Sequence, residues 1–237
     1  MVVACQGEHP SDLRPGPSPV TLTPVEPVVH FEEAGVSLGG RPVLRAIDLV
    51  VEAGEAVGIA GPNGSGKTTL VRAAATLLPI DRGRVRVLGI DPGSSGAITV
   101  RRSIGLIGHQ PALLPDLTLL ENLDHIARLA GVDRARVRRA LEVVGLGDAA
   151  DRHARACSFG MQRRLEIAHL LLTKPTLLLL DEAAAGLDEA ARELIGALVG
   201  SVCGRGGGCL VVSHDRGQLD QLTGRVLNLS AGTLVGT

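Results

Sequence analysis

An α/β fold with a mostly parallel core sheet is what this sequence predicts, on three observations. The stretch Gly61-Pro62-Asn63-Gly64-Ser65-Gly66-Lys67-Thr68-Thr69 fits G-x-x-x-x-G-K-S/T, with an apolar run at 56–60 before it and a helical pattern at 70–75 after it. That strand–loop–helix setting is the one in which the pattern wraps nucleotide phosphates. Downstream, apolar runs at 177–180 and 210–212 alternate with helical patterns at 161–172 and 189–199, which reads as parallel strands joined by crossovers. Ahead of the loop, alternating strands at 28–32 and 43–51 flank a turn at Gly39-Gly40, the mark of an N-terminal antiparallel β region.

Taken in order, residues 1 to about 27 hold Pro10, Pro15, Pro17, Pro19, Pro24 and Pro27. Prolines at that density block helices and sheet ladders, so a disordered leader is expected there, with no function assigned. The segment Arg84-Val85-Arg86-Val87-Leu88 alternates like a strand and is closed by Gly89 and Asp91-Pro92-Gly93. From about 119 to 144 the pattern turns helical, with Leu123, Ile126, Ala127 and Ala130 at i, i+3, i+4 and i+7. Gly145 and Gly147 then punctuate the chain.

Composition excludes several classes of function. With 24 basic and 25 acidic residues the net charge is −1, which implies no general attraction to nucleic acid or anionic membranes. Arg134, Arg136, Arg138 and Arg139 form a local basic cluster, read as a solvated helix face. Phe31 and Phe159 are the only aromatics apart from histidine, so base-stacking recognition of single strands has no platform. Cys5, Cys157, Cys203 and Cys209 form no zinc spacing and read as reduced thiols. No apolar run has the length of a membrane span and no secretory signal pattern opens the chain. Any membrane spans would come from other chains.

The chemistry lies in the loop and in one strand end. Glycines let successive backbone N–H groups turn inward around phosphates, and the following helix N-terminus adds about half a positive charge. Lys67 would reach the β- and γ-phosphates of a nucleoside triphosphate, and Thr68 would offer its hydroxyl to Mg²⁺. Leu177-Leu178-Leu179-Leu180-Asp181-Glu182 reads as a buried parallel strand ending in two carboxylates. Two surface acids after a core strand would look the same. Downstream of a phosphate loop, though, Asp181 suits holding Mg²⁺ through water and Glu182 polarising an attacking water.

With these motifs in order, the chain resembles the ATP-binding-cassette (ABC) ATPases from about residue 28 to residue 237. The resemblance implies a nucleotide-binding domain with an inserted α-helical subdomain at about 97–165. Gln110 in Gly108-His109-Gln110-Pro111 matches the family's Q-loop, implying a contact to Mg²⁺ and a face toward membrane subunits. Ser158-Phe159-Gly160-Met161-Gln162 stands at the family signature, implying that Ser158 and Gly160 contact ATP held by a second cassette. Asp181 and Glu182 match the Walker B aspartate and catalytic glutamate, Ala185-Gly186-Leu187-Asp188 the D-loop, and His214 the switch histidine. In the family, two cassettes close over two ATP molecules and reopen after hydrolysis.

The resemblance further implies a homodimer or heterodimer of cassettes docked, through the surface around 110–123, beneath separate membrane permease subunits on the cytoplasmic face of the cell membrane. Two positions depart from the family. Leu38 stands where an aromatic residue usually stacks on adenine, and Phe159 replaces the first glycine of the signature pair. They leave open a cassette that binds ATP with little hydrolysis beside an active partner. A soluble ABC ATPase working on DNA or ribosomes is a further alternative, opposed by the neutral charge and single cassette. The stretch 108–123 is similar to the haem-exporter-type ATPase of bacterial cytochrome c maturation.

Overall fold

The structure, a computed structural model, describes residues 26–235; of the proline-rich leader expected at 1–27, residues 1–25 lie outside that range. Strands β1 (Val29–Leu38) and β2 (Arg41–Val51) form a hairpin across Gly39 and Gly40, both at positive φ. After β3 (Ala56–Ala60) and α1 (Lys67–Ala74), β4 (Arg82–Val87) returns to pair antiparallel with β1. The resulting three-stranded sheet runs β2-β1-β4 and is antiparallel throughout, as the alternating pattern predicts.

The second sheet is built around β3. Helix α2 (Ala97–Arg101) leads to β5 (Ile104–Ile107), and three helices follow: α3 (Leu119–Leu129), α4 (Arg134–Val143) and α5 (Phe159–Thr173). Then come β6 (Leu177–Asp181), α6 (Glu189–Gly204), β7 (Gly208–Ser213), α7 (Arg216–Leu222), β8 (Arg225–Ser230) and β9 (Thr233–Val235). The order is β5-β6-β7-β3-β8-β9, parallel except for the last pair.

The alternation of side chains along each strand divides the interior into two cores. Leu178, Leu180 and Val211 pack with the helices α3 to α7, while Leu177, Leu179, Leu210 and Val212 pack with α1 and the antiparallel sheet. The two strands inside the sheet that face both cores, β6 and β7, are therefore buried at every position. That explains the four consecutive leucines.

Several elements differ from the sequence expectation. The helical stretch 119–144 is two helices, separated where Gly131 takes φ 67° and Asp133 caps α4 by accepting from the Ala135 N–H. The interval 97–165 also contains β5, an edge strand of the main sheet that lies between α2 and α3. Helix α6 continues to Gly204, and β5, α7, β8 and β9 had no distinct sequence signal.

Candidate functional site

The C-terminal ends of β3, β6 and β7 are adjacent in the sheet and open into a cavity of about 530 Å³. Ligands bind at such strand ends in open α/β sheets. Chain-distant segments line it together, among them Asn63, Gly64 and Gly66 to Thr69 from the glycine loop, Asp181 and Glu182 from the end of β6, and His214 just beyond β7.

The loop itself depends on glycine at two points. Gly66 takes φ 109° as the residue ahead of α1, a conformation side chains disfavour. At Gly61 a Cβ would fall 2.3 Å from the Leu229 carbonyl oxygen, so any side chain would push the loop off β8. Lys67 is buried, and its Nζ donates to the carbonyls of Gly61 at 2.7 Å and Pro62 at 3.1 Å, with Glu182 Oε1 at 3.8 Å. The ammonium is thus held across the mouth of its own loop. Ser65 adds a buried hydroxyl with no hydrogen-bond partner among the described residues.

Opposite the loop, Asp181 accepts a hydrogen bond from the Thr68 side chain. Burial pushes the Asp181 carboxyl above the usual aspartate range; Glu182 adds to this, while Thr68, Arg72 and His109 offset part of it. Glu182 follows at φ 53°, left-handed and unusual for a residue with a side chain. Its Oε2 accepts from the Ser213 hydroxyl at 3.1 Å and lies 3.0 Å from His214 Nδ1. Two groups from the end of β7 therefore converge on one carboxylate, whose other oxygen lies 3.8 Å from Lys67 Nζ.

Asp181 and Thr68 form an adjacent pair of hard oxygen donors facing phosphate-binding backbone. Among the described residues no cluster of three or more His, Cys, Asp or Glu could hold a metal alone. The Asp181–Thr68 pair fits Mg²⁺, which is commonly held by one or two protein oxygens plus substrate phosphates and water.

Not every predicted site residue reaches the cavity. Gln110 is exposed and the neighbouring His109 lines the cavity instead. Leu38 sits at the tip of the β1–β2 hairpin, 43% exposed, and Val43 is the hairpin residue that lines the cavity. Ser158 caps α5 by accepting from the Met161 N–H, and Gly160 follows in its first turn, facing open space. Neither touches the cavity. His109 and Ser213 were missed by sequence reasoning, although each sits next to a residue it singled out.

The stretch 108–123 has a local explanation. Thr118 and Glu121 form a reciprocal capping box that starts α3. The Asn122 amide accepts from the Leu114 N–H and donates to the carbonyls of Leu114, Leu117 and Thr118. The Thr-x-x-Glu-Asn pattern thus folds the loop onto its helix.

The family model described as ABC transporter matches residues 44–185. The chain is 40% identical over 216 residues to the daunorubicin/doxorubicin resistance ATP-binding protein DrrA of Streptomyces peucetius, covering 89% of this chain and 65% of that protein. It is 38% identical over 212 residues to the Fe(3+) ions import ATP-binding protein FbpC of Streptomyces coelicolor, covering 87% and 60%. The chain therefore spans less than two thirds of the length of these two relatives. Its fold matches the dimeric ATP-binding cassette MJ0796, solved in a post-hydrolysis state with ADP and Pi, at TM-score 0.77 and 27% identity over 87% of this chain and 96% of that one.

Proposed function

The chain belongs to the ABC transporter family of ATP-binding cassettes, and on that premise we propose that it is the ATP-hydrolysing subunit of a bacterial transporter. The observation that carries the reading is the convergence of Lys67, Asp181, Glu182 and His214 on one cavity from three adjacent parallel strand ends. Backbone N–H groups of residues 63–66 and the start of α1 bind the phosphates. Lys67 exchanges its contacts to Gly61 and Pro62 for phosphate oxygens. Bound Mg²⁺, held by Thr68 and Asp181, supplies charge neutralisation at the γ-phosphate. Glu182, steadied by Ser213, orients and polarises the attacking water, and His214 reaches the γ-phosphate from the rim. Gln110, beside the cavity-lining His109, is assigned a contact to the metal site once the loop closes.

Ser158 and Gly160 lie outside the cavity lining of their own chain, which suits contact with ATP in a second cassette, homodimeric or heterodimeric. Leu38 is assigned an aliphatic contact to the adenine. No helix among the described residues is long and apolar enough to cross a membrane. As the family resemblance implies, we assign the cassette a peripheral position on the cytoplasmic face, beneath separate permease subunits. The two named relatives serve drug resistance and iron import, so likeness at this level does not fix cargo or direction. A haem-exporter role rests on the stretch 108–123 alone, whose pattern the α3 cap already accounts for.

The test is ATP turnover by the chain purified with its membrane partners, beside Glu182→Gln. Activity well above the control is expected. Equal, slow turnover with ATP still bound would replace this reading with that of a nucleotide-binding cassette whose partner does the hydrolysis.

A further inference from the structure

Phosphate binding does not require the buried charge pair on α5. Arg163 is 0% exposed and Glu166 6%, with Nη1 and Oε2 2.7 Å apart. Each partner also reaches out of the helix to one loop. Arg163 Nη2 donates to the His109 carbonyl at 3.1 Å, and Glu166 Oε1 accepts from the Ala112 N–H at 2.9 Å. Arg163 Nε has no acceptor among the described residues, and the Phe159 ring lies over the guanidinium at 5.2 Å.

A pair this deep is a weak source of stability, because desolvating two charges offsets their attraction and apolar side chains often replace them without loss. What apolar side chains cannot do is fix two backbone groups of another segment, three residues apart, at set positions. The planar fork of arginine and the two oxygens of glutamate do that. The loop so held starts at His109, in the cavity wall, and the helix that holds it starts beside Ser158.

We propose that Arg163 and Glu166 are positioning residues that lock the 109–112 loop to the first turns of α5. The cavity wall at His109 and the exposed turn at Ser158–Gly160 are then held in one fixed relation, with Phe159 shielding the pair from water. The inference deepens the ATPase reading and rests on it.

The test uses the full chain with its membrane partners, as wild type, as Arg163→Met/Glu166→Leu, and as Arg163→Lys. The double variant removes both charges, so no buried ion is left unpaired. The lysine variant keeps the charge without the fork. Melting temperature, backbone hydrogen exchange at Ala112, and kcat and KM for ATP are measured. Both variants should melt near the wild type and exchange the Ala112 amide faster. Their kcat should fall about tenfold with KM within about twofold, as expected when geometry rather than binding is lost. Wild-type kcat in a folded variant, or unchanged Ala112 exchange, overturns the proposal. Absence of hydrolysis in the wild type would sink the ATPase reading instead, and the Ala112 exchange would still decide whether the clasp exists.

Discussion

The cavity and the first turn of α5 are built from opposite kinds of backbone. Lys67, Asp181, Glu182 and His214 hang from three neighbouring parallel strand ends, and their contacts lie within the chain: loop carbonyls for Lys67, Thr68 for Asp181, Ser213 and His214 for Glu182. Ser158, Phe159 and Gly160 start a helix at the edge of the helical region, and Gly160 faces open space. The first region is chemically complete in one chain. The second lies outside the cavity, and under the proposed function it would act on ATP held by a second cassette.

If that contrast holds, substitutions in the cavity should silence the chain outright. Lys67→Ala removes a buried ammonium and its phosphate contact, and hydrolysis should fall at least about a thousandfold with loss of ATP binding. Retained nucleotide binding in a fluorescence titration would place the phosphates elsewhere. Glu182→Gln should lower turnover by about a hundredfold or more while leaving ATP binding within a few-fold. A parallel loss of binding would make the carboxylate a ligand rather than a catalyst.

Asp181→Asn sharpens the comparison through stability. The folded-state pKa of Asp181 is raised, chiefly by burial, so the native state holds the proton more tightly than the unfolded chain does. Stability contributed by this group is present below the ordinary aspartate pKa and is lost as pH rises through the raised value. The nucleotide-free variant should therefore melt higher than the wild type at neutral pH, and the gain should vanish toward acid. A lower melting point at pH 7 would mean that the Thr68 contact outweighs burial. Loss of Mg²⁺-dependent hydrolysis is expected at every pH.

Effects in the second region should be smaller. Phe159→Gly strips the ring from Arg163 and puts glycine in a helical first turn, together worth about 1 kcal/mol of stability. Turnover should not rise. An increase would show that the ring obstructs the approach of a partner. Leu38→Tyr is the mildest change: an aromatic at the hairpin tip should tighten ATP about fivefold, roughly 1 kcal/mol. An unchanged Kd would remove Leu38 from the nucleotide site.

What the sequence made legible follows the same division. The phosphate loop and the strand ending in Asp181-Glu182 announce themselves because both demand rare local solutions, glycine at a left-handed turn and an unbroken apolar run between two cores. Helix α7 and strands β8 and β9 did not, since their half-buried mixed patterns resemble any surface segment. Gln110 was singled out while its neighbour His109 lines the cavity, because motif order fixes a loop but not which side chain turns inward. The Arg163–Glu166 clasp was invisible for a related reason: an i, i+3 pair looks like ordinary surface charge until the loop beneath it is placed.

Glu182 at φ 53° has one more consequence. An L-residue held in a left-handed turn carries strain of about 1–2 kcal/mol, which glycine largely avoids and asparagine tolerates better than most residues. A cassette released from hydrolysis would gain stability by letting this position drift to either one. The identity of the residue at this single turn should therefore sort working cassettes from retired ones sharing the same fold, without any measurement of activity.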